Sequence, residues 1–120
     1  MAQGVGETHP ILGAVDTFGG HFWSPLDYSG SSAYVQGGDA ISPQSFGLNN
    51  TIWTLVGGID QSGKFNVVPR ALNDGVTPWQ LVWISLDSGS VGGEAQTPGE
   101  EAAAGTDLSD FTVRLSAIGY

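Results

Sequence analysis

Nineteen of the 120 residues are glycine, and no other feature of the sequence limits the fold so strongly. A glycine inside a helix costs about 1 kcal/mol relative to alanine, whereas in a turn its access to positive φ is useful. The rest of the composition points the same way. Valine and isoleucine together number sixteen against nine leucines, and β-branched and aromatic side chains suit strands. A chain of 120 residues makes one domain. Forty per cent apolar residues and twelve aromatics are enough to build a core and argue against disorder. The expectation is a single all-β domain, an antiparallel β-sandwich of about seven or eight strands over residues 11–120. Residues 1–10 read as a flexible polar arm, and residues 88–105 as a long exposed loop.

Along the chain, Ile11 to Asp16, His21 to Trp23 and Ala33 to Gln36 read as short extended pieces. Ser42-Pro43-Gln44-Ser45-Phe46-Gly47 reads as one helical turn, with Ser42 as N-cap, Pro43 at the first helical position and Gly47 just past the end. Thr51 to Gly57 is rich in strand formers. Asp60 to Gly63 is a hairpin turn, and Lys64 to Ala71 follows as an edge or partly solvated strand because it carries two charges and Pro69. Asn73 to Gly75 is another turn. Trp79 to Asp87 is apolar on both faces, which suits a central strand. Phe111 to Ile118 alternates, with Val113, Leu115 and Ala117 on one face and Thr112, Arg114 and Ser116 on the other.

Charge and cysteine content exclude several functions. Three cations against twelve acidic residues give a net charge of −9. No basic footprint for nucleic acid can be assembled, and anionic membrane surfaces are disfavoured. The chain has no cysteine, so disulfides, thiolate metal sites and thiol catalysis are absent. Met1 to Glu7 has neither a basic segment nor an apolar stretch, so it does not read as a signal peptide, and synthesis in the cytosol is expected. His9 and His21 lack the spacing of a metal pair, although Asp16 or Asp27 would be the carboxylates to join them. The twelve serines include no nucleophile elbow, and the adjacent Glu100-Glu101 pair sits in the low-complexity loop. These readings predict no enzyme, cofactor or metal.

Four tryptophans are the remaining signal. Trp53, Trp79 and Trp83 are candidates for a subunit or partner interface, for core packing, or for a sugar-stacking face. Trp79 and Trp83, four apart, share one face of a strand. Arg114, alone among strand residues opposite the apolar face, is the fourth candidate interface residue, expected to pair with a carboxylate.

The closing run Gly105-Thr106-Asp107-Leu108-Ser109, followed by a strand and Ala117-Ile118-Gly119-Tyr120, resembles the carboxy-terminal signature of small virion proteins encoded beside the major capsid gene in tailed bacteriophages. Tyr34 to Leu48, with Gly37-Gly38 and Phe46-Gly47-Leu48, is similar to their midsection. The two stretches cover roughly a quarter of the chain. The region from Asn66 to Leu86 departs from the pattern, and the loop from Ser88 to Ala104 is longer than usual. The resemblance implies a β-rich capsid decoration, or cement, protein that binds the major capsid protein on the virion exterior as a homotrimer. A carbohydrate-binding module of a phage tail or fibre is the alternative.

Overall fold

The computed structural model describes residues 6–10, 16–18, 21–71 and 79–120. Eleven strands occur among them: β1 (Glu7–Pro10), β2 (Asp16–Phe18), β3 (His21–Ser29), β4 (Asp39–Ile41), β5 (Ile52–Val56), β6 (Gly58–Ile59), β7 (Phe65–Ala71), β8 (Trp79–Ser85), β9 (Gly89–Val91), β10 (Glu94–Gln96) and β11 (Thr112–Gly119). The count exceeds the expected seven or eight because several strands have only two or three residues. The architecture is the expected all-β sandwich, and every strand pairing is antiparallel. One sheet has the order β1-β3-β11-β5, with β2 on the same side of β3 as β1. The second has the order β4-β8-β7-β6, and β9 with β10 forms a separate hairpin.

The longest register joins β3 to β11, from Ser29 opposite Thr112 to Phe22 opposite Gly119. Alternation decides which face is buried. Val113, Leu115 and Ala117 on β11 and Leu26 and Tyr28 on β3 are all at most 1% exposed. From the second sheet Phe65, Val67, Leu81 and Trp83 close the same core. Phe65 meets the rings of Trp83 and Phe111 edge-on, at 5.8 and 5.1 Å between centroids. Pro25 lies inside a central strand, a position a proline normally avoids. It falls in the gap between the residues of β3 that pair with β2 and those that pair with β1, so no ladder bond is asked of its missing N–H.

The chain passes from the first sheet to the second through Gly57, between β5 and β6. A Cβ there would lie 2.2 Å from the Val67 carbonyl oxygen, so only glycine fits the crossing. The Ser42–Gly47 turn is a 3-10 helix over Pro43–Phe46 with Gly47 in the left-handed region at φ 75°. Ser42 holds the N-cap position, but its hydroxyl lies 3.3 Å from that of Ser45 instead of capping the backbone.

Four expectations need correction. Of the stretch assigned to a flexible arm, Glu7–Pro10 is strand β1 on the edge of β3, because pairing satisfies backbone groups of β3 that would otherwise stay open. Ala33 to Gln36 is not a strand; it runs beside residues 105–106, with Tyr34 N–H donating to Thr106 O at 2.9 Å and Gly105 N–H to Tyr34 O at 2.7 Å. Lys64 to Ala71 is partly solvated as expected, but its first half is not at an edge: the two-residue β6 pairs with Asn66 and Val67, whereas Val68 to Ala71 pair with β8 alone among the described residues. Residues 88–105 are not simply an exposed loop. They hold the β9–β10 hairpin, and residues 99–102 continue the line of β4 along β8, through Gly99 N–H to Ser85 O, Ser85 N–H to Glu100 O and Ala102 N–H to Trp83 O at 2.7 to 2.8 Å. The pairing takes up backbone groups on the side of β8 that β4, ending against Trp79 to Leu81, leaves open. Residues 1–5, 11–15 and 73–75, where an arm, a strand and a turn were expected, lie outside the described residues.

Leu115 touches both layers from the middle of β11. Leu115→Ala is expected to lower unfolding stability by about 2–5 kcal/mol, read as a shift of the urea midpoint at constant slope.

Candidate functional site

The polar groups of the interior form a seam between the sheets. Asp39 on β4 is fully buried and faces the core. Its carboxylate accepts from the Tyr28 hydroxyl at 2.8 Å, the Ser31 hydroxyl at 2.9 Å and the Ser31 N–H at 3.3 Å. Tyr28 belongs to the first sheet and Asp39 to the second, so this bond crosses the core. The Tyr28 oxygen in turn accepts from Gly6 N–H at 2.8 Å. Gly38, at φ 114°, brings the chain into β4 so close to Leu81 that no side chain fits. Burial pushes the Asp39 carboxyl above its usual range, against the lowering effect of its Tyr28 and Ser31 bonds. Burial, reinforced by the neighbouring Asp39, pushes the Tyr28 phenol up as well.

A second cluster lies alongside. Glu101 accepts from the Tyr34 hydroxyl and from Gly37 N–H, both at 2.6 Å, and the Tyr34 oxygen accepts from Trp83 N–H at 3.2 Å. Thr106 is fully buried; its hydroxyl donates to Ala103 O at 2.6 Å and accepts from the Gln96 amide at 3.0 Å. Asp107 accepts from Ser109 N–H at 3.0 Å. The Gly-Thr-Asp-Leu-Ser run and the Tyr34 to Asp39 stretch are therefore fold-building segments that meet along this seam.

The other carboxylates with resolved partners are also occupied by the fold. Asp60 accepts N–H bonds from Ser62, Lys64 and Phe65 at 2.8 to 2.9 Å, closing the hairpin turn. Asp27 and Arg114, opposite each other on β3 and β11, form a two-pronged pair at 2.8 and 3.1 Å. The Arg114 bond holds the Asp27 carboxyl below its usual range. His9 is paired in register with Asp27, but both carboxylate oxygens there are held by Arg114. Only the backbone of His21 and Asp16 is described, in β3 and β2. Among the described residues no three His, Asp or Glu side chains form a group fit to hold a metal ion. A cavity of about 90 Å³ beneath the β9 hairpin is lined by Lys64, Asp87, Ser90 and Gln96, among others.

The exposed apolar residues lie on the two outer faces. On the outside of the first sheet, Asp16, Trp23, Ile118 and Thr54 are aligned across β2, β3, β11 and β5, with buried Pro25, half-buried Ser116 and exposed Val56 in the adjacent row. The register shifts after Ile118, and Trp53 at the shift lies against Tyr120, ring centroids 5.1 Å apart and planes 52° from parallel. Trp23, Trp53 and Tyr120 are 43–46% exposed. On the outside of the second sheet, Val68 is paired with Val82 on β8, flanked by Ile84 and by Ile59 on β6; Ile59 and Val68 are 59% and 42% exposed.

The structure therefore separates the four residues expected at an interface. Trp53 is on the outer surface. Trp79 is half-buried and donates its ring N–H to Ile52 O at 3.3 Å. Trp83 is fully buried, and its ring N–H has no hydrogen-bond partner among the described residues. Arg114 is exposed and paired as expected. The three tryptophans do not form one platform, because the shared face of Trp79 and Trp83 is the core face. Trp23 and Tyr120 are the rings that accompany Trp53, and neither stands out in sequence, since Trp23 adjoins a proline-containing loop-like stretch and Tyr120 ends the chain. No family model, curated protein or solved structure matches this chain.

The two shifted aspartates are expected to act oppositely on stability. Asp39, whose folded pKa is raised, contributes a stability that is full below about pH 4 and fades as pH rises through the folded value. Asp27, whose folded pKa is lowered, contributes above about pH 4 and loses its contribution on acidification. In urea unfolding from pH 3 to 7, wild type should therefore lose stability relative to Asp39→Asn as pH rises and gain it relative to Asp27→Asn. Parallel curves for wild type and Asp39→Asn would show that Asp39 titrates as in the unfolded chain.

Proposed function

We propose that this protein is a non-enzymatic capsid decoration protein that binds the assembled major-capsid shell of a tailed phage and stabilises it. The observation that carries the reading is the outer face of the second sheet. Val68 and Val82 in one row and Ile59 and Ile84 in the next make it largely aliphatic, with half-buried Asn66 between Ile59 and Ile84, and exposed Arg70, bonded to the buried Gln80, stands at its polar margin. That is the anatomy of a protein–protein contact, an apolar middle with polar margins. The likeness of the carboxy-terminal run to phage virion proteins supplies the partner, the location on the virion exterior and the homotrimer.

The internal chemistry supports a binding role. Asp27, Asp39, Asp60 and Glu101 are each spent on hydrogen bonds that hold the fold. No helix among the described residues is long and apolar enough to cross a membrane. A protein that binds the assembled shell and not its free subunits stabilises the shell by mass action, in proportion to the logarithm of its free concentration. The net charge of −9 keeps unbound copies soluble and away from the genome.

Assembled major-capsid shells of the phage proposed to carry this protein test the proposal. The protein should co-sediment with them and raise their melting temperature. Val68→Asp and Ile59→Asp should each weaken binding about tenfold or more while circular dichroism stays unchanged. Failure of the wild-type protein to sediment with shells, with no change in shell melting, would overturn the proposal.

A further inference from the structure

We propose that the outer face of the first sheet binds a neutral polysaccharide chain, with Trp23, Trp53 and Tyr120 as its stacking surfaces. The site stands on its own geometry; only its outward orientation on a virion rests on the decoration reading. In a two-layer sandwich the outer faces point in opposite directions, so a molecule seated through the second sheet presents the first to the medium.

The spacing suits a chain of rings. Trp23 and Thr54 flank Ile118 across three hydrogen-bonded strands, and two inter-strand steps are about 10 Å, the reach of roughly two sugar rings. Trp53, at the register shift, lies next to Thr54 at the far end of that row. A pyranose offers an apolar C–H face and a rim of hydroxyls. The negative face of an aromatic ring attracts polarised C–H groups and buries the apolar side of the sugar. Hydroxyl groups of exposed Thr54 and half-buried Ser116 lie in the same two rows, and exposed Asn50 lies beside Tyr120, its amide donating to the Tyr120 hydroxyl at 3.1 Å.

Pre-organisation favours the same occupant. Trp53 and Tyr120 pack on one another, and Asn50 and Thr51 N–H groups hold the Tyr120 carbonyl at 2.8 and 2.9 Å. Rings already fixed lose little freedom when a ligand settles on them. Charge selects the class. The one charged residue placed in these rows, Asp16 opposite Trp23, is acidic, the nearest ion pair, Asp27–Arg114, is closed on itself, and the molecule carries −9. An anionic polysaccharide or nucleic acid would be repelled, and a neutral glycan is not. An open sheet face suits a chain lying along the surface instead of an enclosed small ligand. The second sheet differs in having largely aliphatic side chains where this one carries aromatic rings together with Ile118, Val56 and hydroxyls.

Native gels cast with a neutral polymer provide the test, using dextran, a mannan and a mixed-linkage β-glucan in turn, with polygalacturonate as the anionic comparison. The wild-type protein should be retarded by at least one neutral polymer and not by polygalacturonate. Trp53→Ala and, separately, Trp23→Ala should weaken that retention about tenfold, Tyr120→Phe should retain most of it, and Val68→Asp on the opposite face should leave it unchanged. Circular dichroism and melting confirm that each variant is folded, and Trp23→Ala carries the test if Trp53→Ala is not. Retardation by none of the three polymers, retention unaffected by both tryptophan changes, or a shift of Trp23→Ala from oligomer to monomer in light scattering without any sugar binding would each overturn the proposal. Co-sedimentation with shells is read separately, so loss of one activity does not stand for loss of the other.

Discussion

The hydrogen bond from Tyr28 to Asp39 is the interaction on which the rest of the structure depends. It joins the central strand of one sheet to the short edge strand of the other through the middle of the core. A carboxylate in such a place is expensive to desolvate, and its hydrogen-bond partners, Tyr28 and Ser31, are both uncharged. The arrangement holds because each partner is itself tied down. Leu108 N–H is bound to Ser31 O, Tyr28 accepts from Gly6, and the segment carrying Ser31 and Tyr34 is laced to residues 105–108. Removing any one member leaves a buried polar group without its complement, which is more costly than the bond itself is stabilising. A seam of this kind specifies how the two sheets align, which apolar contacts alone do loosely.

That alignment determines what the outside can do. With the layers pinned, Val68 and Val82 face one way and Trp23, Ile118 and Thr54 the other. The two surfaces differ in chemistry although both are apolar. One is aliphatic around Asn66, with Arg70 at its margin; the other carries the Trp23, Trp53 and Tyr120 rings together with Ile118, Val56 and the hydroxyls of Thr54 and Ser116. Under the proposed decoration role, one face would hold the shell and the other would meet the surroundings. The Asp27–Arg114 pair fits the same economy of charge. Two of the few charged strand residues meet on an exposed face and cancel.

The expectation of apolar excess on Trp79 to Asp87 shows how far local reading reaches. Alternation correctly gave Trp79, Leu81 and Trp83 one face, and the central position of the strand followed from the apolar character of both faces. Which face was the core did not follow, because a strand apolar on both sides carries no sign of its direction. The tryptophans that read as a joint surface are consequently divided: Trp83 inside, Trp79 at the margin, Trp53 outside. The β3 stretch misled in the opposite direction. His21 to Ser29 contains Ser24-Pro25 and Asp27, turn-like residues, yet it is the longest strand, because its flanking partners leave Pro25 unpaired on one side. Trp23 was hidden by that misreading.

By itself the sequence determined the class of fold. Nineteen glycines, an excess of β-branched residues and the alternation of Thr112 to Gly119 are local properties, and each of them favours strands and tight turns whatever the rest of the chain does. It also determined the charge, and with it the kinds of partner that are repelled. Only the tertiary structure decided that a low-complexity run at 99–102 would complete the edge of β8, that Asp39 would be buried while Asp27 met Arg114 in the open, and that Trp23, Trp53 and Tyr120 would meet on one surface. Asp39 and Glu101 meet their partners across 8 to 67 residues of chain. Local sequence carries no record of such a pairing, because the energy that selects it arises only when both sheets have closed over the groups and water is gone.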